Sequence, residues 1–426
     1  MKPFIFRSYF FDETNKEAVF EYSYNNQHFF KEKIVFSQVS ESYNKAVLDK
    51  ALFLAFIVIG TSYYKAFPTN KIVFEMGELD EWQAKFTNQI YQDGLSQFAY
   101  ENKLKREDLA FFEATQEASN GALEYNGDGV LALQSGGKDS LLLATFLQDK
   151  NIAFTPWYVG SSDTYPDVLN KLKHAPITAK RLIDHRSLDG VAQKGALNGH
   201  VPVTFIVLSI ALVEAILSNK NTILASIGHE GEEPHAMIGD LPVTHQWSKT
   251  WRAEQLFVQY VHRYVSSDIN VGSPLRGYSE LRIAELFAKY SWDMFGKHFS
   301  SCNRANYAQG HNNTHLRWCG ECPKCANSYL LFAPFISPKE LQSIFNNQDL
   351  FTKESLDTVF KGLLTIDGVM KPFECIGEVD ELRTAYYMAK KRWGSELGDL
   401  PFSVPEATYD YKKKYPMQEW AKKFVE

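Results

Sequence analysis

Cysteine is scarce, with five residues in a chain of 426, too few for disulfides to organise a protein of this size. An excess of basic charge is also missing. Lysine and arginine total 45 against 51 aspartates and glutamates, a formal net charge of −6. Surfaces that grip nucleic-acid phosphates carry a basic surplus, so no nucleic-acid partner is expected. The opening MKPFIFRSYFFDE lacks the basic start, apolar stretch and small-residue cleavage site of a signal peptide. The longest apolar stretch, VPVTFIVLSIALVEAIL from Val201, falls short of a bilayer span and contains Glu214, so no membrane association is expected. Internal repeats and low-complexity segments are absent. The remaining composition, 45% apolar and 23% charged, is that of an ordinary globular protein. A cytoplasmic location is the expectation.

What is present divides the chain into three, in line with about 150 residues per domain. Residues 1–125 read as an α+β domain. EAVFEYSYNN and HFFKEKIVF alternate as strands around an Asn-Asn turn. YNKAVLDKALFLAFIVIGTSYYKAF has helical spacing and stops at Pro68, and DEWQAKFTNQIYQDGLSQFAYEN reads as helices broken at Gly94. Residues 126–300 begin at the turn cluster Asn126–Gly129 and alternate strand and helix: VLALQ, a helix from Ser140, AFTPWYVG, a mainly helical VPVTFIVLSIALVEAILSN, then TILAS. That alternation implies a parallel sheet covered on both faces. Residues 301–426 are cysteine-rich and then mainly helical.

The most informative turn is QSGGKDS. A helix N-terminus offers unpaired N–H groups and positive dipole to an anion. Gly136 and Gly137 admit a phosphate to the backbone, Ser135 and Ser140 offer hydroxyls, and Lys138 adds charge. Asp139 suits no anion, yet a carboxylate beside phosphates is a natural Mg²⁺ ligand. The turn is not the common phosphate loop, which would place Gly at Ala132 and Ser or Thr at Asp139. A nucleotide with its metal is the expected ligand. A second constellation is Cys302, Cys319, Cys322 and Cys325, whose C-x₂-C knuckles suit a closed structural Zn²⁺ site. An iron–sulfur cluster is the alternative, and His311 or His315 could replace Cys302. Cys375, in KPFECIGEVDE, is the remaining thiol, either core or catalytic.

SGGxDS resembles the signature of the PP-loop ATP pyrophosphatases, from about Gly129 to Gly231, with Gly228-His229-Glu230 after TILAS as a second match. The fold this implies is an adenine nucleotide alpha hydrolase-like parallel sheet. The chemistry it implies is cleavage of ATP to AMP and pyrophosphate, with a substrate oxygen taking the AMP. Glutamine-dependent members need an N-terminal cysteine or a cysteine in a Gly-flanked elbow, and this chain has neither. Alternatives within that class are a 7-cyano-7-deazaguanine synthase-like enzyme, a tRNA-modifying enzyme and a ligase. The acidic balance opposes tRNA modification, and the deazaguanine synthases lack a large N-terminal domain.

A longer resemblance favours another family. GTSYYKAFP, DGLSQFAYEN, SGGKDS, NGHVPVT, THQWSK, SCNR, WCGECPKC and FECIGEVDE, in this order, resemble the ATP-dependent UDP-N-acetylmuramoyl-L-alanyl-L-glutamate epimerases of peptidoglycan synthesis. The segment GHEGEEPHAMIGD, 228–240, departs from that pattern, which leaves a related peptide open as substrate. The resemblance implies a nucleotide-sugar peptide substrate and ATP with Mg²⁺. The substrate carboxylate is adenylated, which makes its α-hydrogen acidic; proton removal, reprotonation from the other face and hydrolysis then invert the centre. Candidates for proton transfer and charge stabilisation are His245, Lys249, His229 and Cys375. Arg276 and Arg282 are candidates for binding substrate carboxylate or phosphates.

Overall fold

The computed structural model describes residues 2–117, 121–307 and 314–426. Its strands are β1 (Phe4–Asp12), β2 (Glu17–Tyr24), β3 (His28–Phe36), β4 (Ile72–Phe74), β5 (Val130–Leu133), β6 (Thr155–Gly160), β7 (Ile177–Leu182), β8 (Thr222–Leu224), β9 (Ala236–Ile238), β10 (Leu241–Val243) and β11 (Asn270–Gly272). Nine of them form one sheet in the order β11-β8-β5-β6-β7-β3-β2-β1-β4, with β9 and β10 a separate hairpin. Strands β11, β8, β5, β6 and β7 run parallel. The antiparallel meander β1–β2–β3 joins them through β3 and β7, where Lys33 faces Leu182 and Phe36 faces Ala179. The 1–125 and 126–300 segments therefore share a single sheet.

Alternation along each strand divides the interior. Leu131 and Ile223 face one core, Ala132 and Leu224 the other, as the two-residue period of a strand requires. On the first face lie the helices Lys45–Ile59, Val203–Leu217 and Trp251–Tyr260. On the second lie Lys138–Asp149, Glu280–Tyr290, Pro323–Phe332 and Val379–Trp393. The Asn-Asn turn is a hairpin, with Asn25 and Asn26 at positive φ of 48° and 54°, the conformation a tight β2–β3 connection needs. The break at Gly94 separates Glu81–Gln92 from Ser96–Glu101.

One expectation fails. The run Lys45–Tyr64, not the one from Val201, is the most span-like segment: 20 residues with mean hydropathy 1.6, long and apolar enough to cross a membrane. It is 78% buried inside the protein, because it packs on the sheet and on Val203–Leu217. Its apolar character belongs to a core helix with protein on nearly every side.

Candidate active site

The spatial order of the parallel strands fixes where a site can form. From β5 the chain builds β6 and β7 to one side, then returns to place β8 and β11 on the other. The strand order reverses between β5 and β8, and the loops leaving their carboxyl ends diverge to leave a crevice. A cavity of about 370 Å³ opens there. Gln134, Ser135, Gly137, Asp139 and Ser140 form one wall, Ala225 to Ile227 another, and Val203, Val207 and Leu208 from the helix face provide an apolar side. Lys249, Lys324 and Cys375 reach it from later in the chain.

The glycine turn has the anticipated shape. Gly136 has φ of +77°, and a Cβ there would lie 2.6 Å from Leu316 Cδ1. Gly137 caps the helix Lys138–Asp149. The Ser135 hydroxyl accepts from the Gly137 N–H at 3.3 Å, and the Ser140 hydroxyl accepts from the Ser135 N–H at 3.2 Å. Ser135, Gly137, Asp139 and Ser140 line the cavity. Lys138 does not. Its ammonium is buried and lies 2.6 Å from both Asp139 Oδ1 and Glu280 Oε2. Burial opposes that charge, and the two carboxylates outweigh the opposition, so the ammonium is held protonated. Burial likewise raises the Asp139 carboxyl, against the pull of Lys138.

The residues fit a nucleotide. Both side-chain amide atoms of Gln134 and the hydroxyl of Ser226 are buried in the cavity wall without a partner. Such groups are costly to bury unless something hydrogen-bonds them. Asp139 is the acidic side chain of the turn and faces the same space, where it would hold a divalent cation.

Two of the proton-transfer candidates meet. Cys375 Sγ lies 3.9 Å from His245 Nε2, and His245 Nδ1 lies 2.6 Å from Gln97 Oε1. Burial lowers the His245 imidazole to about 4, and Lys249 and Lys324 push the same way while Glu374 and Glu101 oppose them. With its amide turned to satisfy both neighbours, Gln246 donates to Glu230 Oε2 at 2.7 Å and accepts from the Cys375 N–H at 3.1 Å. Lys249 Nζ is 3.2 Å from Glu230 Oε2. Burial disfavours this ammonium, yet Cys375, Glu230, Glu280 and Asp139 together keep it protonated.

The other candidates lie elsewhere. His229 stacks on Tyr415 with ring centroids 3.6 Å apart and does not line the cavity; burial lowers it to about 4. Arg276 has no exposed surface. Its guanidinium donates to Glu254 Oε2 at 3.0 and 2.9 Å and to the carbonyls of Gly228 and Lys249 at 2.7 and 2.6 Å. It braces two site segments from behind and has no donor directed at the cavity. Arg282 pairs with Glu285 one helical turn on.

Cys302, Cys319, Cys322 and Cys325 bring their sulfurs within 4.8 Å of one another. Neighbouring sulfurs are 3.5 to 3.7 Å apart, near the edge of about 3.8 Å for a tetrahedron with 2.3 Å bonds. The N–H groups of Ala305, Gly320 and Glu321 point at three of the sulfurs. Four sulfurs this close could hold a metal ion between them, and the set suits zinc. Cys302 completes it, while His315 is exposed on the surface beside Asp167; His311 lies outside the described residues. The knot also shapes the cavity. Ser300, Ser301 and Asn303 line it next to Cys302, the Ser300 N–H donates to Gly136 O at 3.3 Å, and Lys324, inside C-P-K-C, donates to the Cys375 carbonyl. Lys324, Gln134 and Ser226 escape the sequence reading. A lysine inside the second C-x₂-C knuckle is the one available signal.

Two family models and several curated relatives match most of the chain. A family described as the MurL N-terminal domain matches residues 1–273, and the MurL C-terminal domain matches 298–397. A UDP-N-acetyl-alpha-D-muramoyl-L-alanyl-L-glutamate epimerase from Xanthomonas oryzae pv. oryzae is 32% identical over 82% of this chain and 76% of its own length. Proteins of the same description are 32% identical in a Micromonospora species, over 89% and 85% of the two chains, and 30% identical in Salinispora tropica, over 96% and 90%.

Proposed function

The chain belongs to the MurL family, and on that premise we propose that it inverts the terminal L-glutamate of UDP-N-acetylmuramoyl-L-Ala-L-Glu to D-glutamate, consuming ATP. The observation that supports this reading is a single cavity in which a glycine turn at a helix N-terminus meets a thiol with an imidazole beside it. Phosphate chemistry and proton transfer are then adjacent, and the reaction needs both.

A substrate carboxylate resists loss of its α-hydrogen, because a second negative charge would form next to the first. ATP supplies the remedy, transfer of AMP to that carboxylate with release of pyrophosphate. The Ser135–Ser140 turn would hold the phosphates, Asp139 would hold Mg²⁺, and Gln134 and Ser226 would bond the nucleotide. Lys249 and Lys324 place positive charge where the carbonyl oxygen gains electrons. Cys375, acting as the thiolate, takes the α-proton onto sulfur to become the thiol, the electron pair moves onto the carbonyl oxygen, and a proton from solvent delivered to the opposite face inverts the carbon as that pair returns. Water then releases AMP and the D-glutamyl product. The four cysteines would hold a structural zinc, which would take no part in these steps. A nucleotide-activated substrate and unpaired clustered thiols favour a cytoplasmic location.

The test is incubation with ATP, Mg²⁺ and UDP-N-acetylmuramoyl-L-Ala-L-Glu in D₂O. The expected result is AMP, pyrophosphate and D-glutamate deuterated at the α-carbon. ADP with phosphate would overturn adenylation, and an adenylate without α-exchange would overturn epimerisation.

A further inference from the structure

The segment DGLSQFAYEN has no part in the chemistry just described. In the fold it carries the short helix Ser96–Glu101, far in sequence from His245 yet in contact with it. Gln97 is buried, 6% exposed, and its Oε1 lies 2.6 Å from His245 Nδ1. The amide can face only one way. Its Nε2 donates to Glu101 Oε1 at 2.8 Å, and a carboxylate has no hydrogen to give in return. Oε1 is thus the atom turned to His245, and since it can only accept, Nδ1 carries the imidazole hydrogen. A neutral imidazole has one N–H, so Nε2 keeps its lone pair, and Nε2 is the atom facing Cys375 Sγ.

We propose that Gln97, held by Glu101, is a positioning residue that fixes His245 as the Nδ1–H tautomer, leaving Nε2 to accept the Cys375 thiol proton. This rests on the reading of Cys375 as the group that moves the α-proton. The groups facing His245 from each side are His200, with ring centroids 4.6 Å away, and Lys249, Lys324, Glu374 and Glu101. Their balance, together with burial, keeps the ring neutral near pH 7, the state in which the choice of tautomer decides function. With the opposite tautomer, Nε2–H would point at sulfur and could not take its proton. The proton would leave Sγ for Nε2 as the S–H bond breaks and the N–H bond forms, giving a thiolate and an imidazolium whose Nδ1–H still bonds to Gln97.

The test compares Gln97→Leu with Gln97→Glu in the complete enzyme, reading α-deuterium exchange against pyrophosphate release. Gln97→Leu is expected to lower the ratio of exchange to pyrophosphate by about 100-fold, the low end of what general acid–base catalysis contributes. Gln97→Glu keeps an acceptor for Nδ1–H, so it should recover exchange while shifting the acidic limb of the pH profile upward, because the new carboxylate stabilises imidazolium. Equal loss in both variants at unchanged melting temperature, or a Gln97→Leu ratio within about twofold of wild type, would overturn the proposal. An independent measurement needs no variant at this position. In ¹⁵N-histidine-labelled wild-type protein, with His245 assigned by loss of its signal in His245→Asn, Nδ1 should carry the proton, and an Nε2–H imidazole would overturn the proposal. Absence of any α-exchange in wild type while the Nδ1–H tautomer is seen would instead count against the epimerase reading.

Discussion

Lys138 shows how one residue's role changes between the sequence and the fold. In SGGKDS it looks like a phosphate ligand, yet its ammonium is clamped by Asp139 and Glu280 beneath the turn. Removing one partner of a buried ion pair strands the other charge and costs about 3–5 kcal/mol. Lys138→Ala should therefore lower stability by that order in denaturant titrations, and adding Glu280→Gln should restore part of it. A double variant no more stable than Lys138→Ala would show that the ion pair is not what the single substitution breaks. Loss of activity in Lys138→Ala alone thus reports on the shape of the turn as much as on phosphate binding. Arg276 teaches the same lesson: an arginine in a polar motif reads as a ligand for anions, and burial turns it into a brace. Sequence gives charge and spacing but not the side on which a long side chain lies.

At the scale of elements, helices and strands position the site through contacts outside the motifs. The helix Val203–Leu217 meets β6 where Trp157 Nε1 donates to Glu214 Oε2 at 3.1 Å, while Glu214 Oε1 is buried without a partner. Burial pushes this carboxyl from its ordinary 4.5 up to about 8. Between these values the folded state holds a proton that the unfolded chain has lost, so stability falls as pH rises through the window. Glu214→Gln keeps the acceptor for Trp157 and removes the charge. It should match wild type near pH 5 and exceed it near pH 9 by about 4 kcal/mol, at about 1.4 kcal/mol for each pH unit crossed inside that window. Thermal melts at both pH values would check this, and a difference that does not grow with pH would refute it. The cysteine knot is the other decisive element. Its chelation should release about one zinc per chain, lower the melting temperature and detach Ser300 from Gly136, seen as weaker ATP binding. Unaltered melting after complete metal removal would contradict a structural role. The C-x₂-C spacing made the knot legible, because four ligands in a short segment require little from the rest of the chain. Strand β7, ITAKRL, was not legible, since most of its residues are half-exposed and two, Lys180 and Arg181, are charged, and only its place between β6 and β3 makes it a strand.

Over the whole molecule, the N-terminal meander and the nucleotide-type sheet are one structure. β3 pairs with β7, Arg181 on β7 bonds the fully buried Glu32 on β3 at 2.6 Å, and Lys45–Ile59 packs on Val203–Leu217. A chain beginning at residue 126 would expose that apolar face and an unpaired strand edge. It should therefore melt without a cooperative transition and bind a hydrophobic dye, and a cooperative transition close to that of the full chain would refute this. Local features were legible from the residues alone: the glycine turn at a helix start, the four clustered cysteines, the helix and strand periods, and the family to which the motifs belong. Each depends on neighbours within a turn or two, or on residues whose chemistry is read one at a time. It took the packed fold to show that Gln97, His245 and Cys375 meet, that Lys324 enters the cavity while Lys138 and Arg276 do not, and that the most membrane-like helix is core. Those outcomes depend on pairings between distant segments, from 22 residues for Arg276 with Glu254 to 148 for Gln97 with His245, fixed by which faces the sheet buries, and no local pattern encodes them.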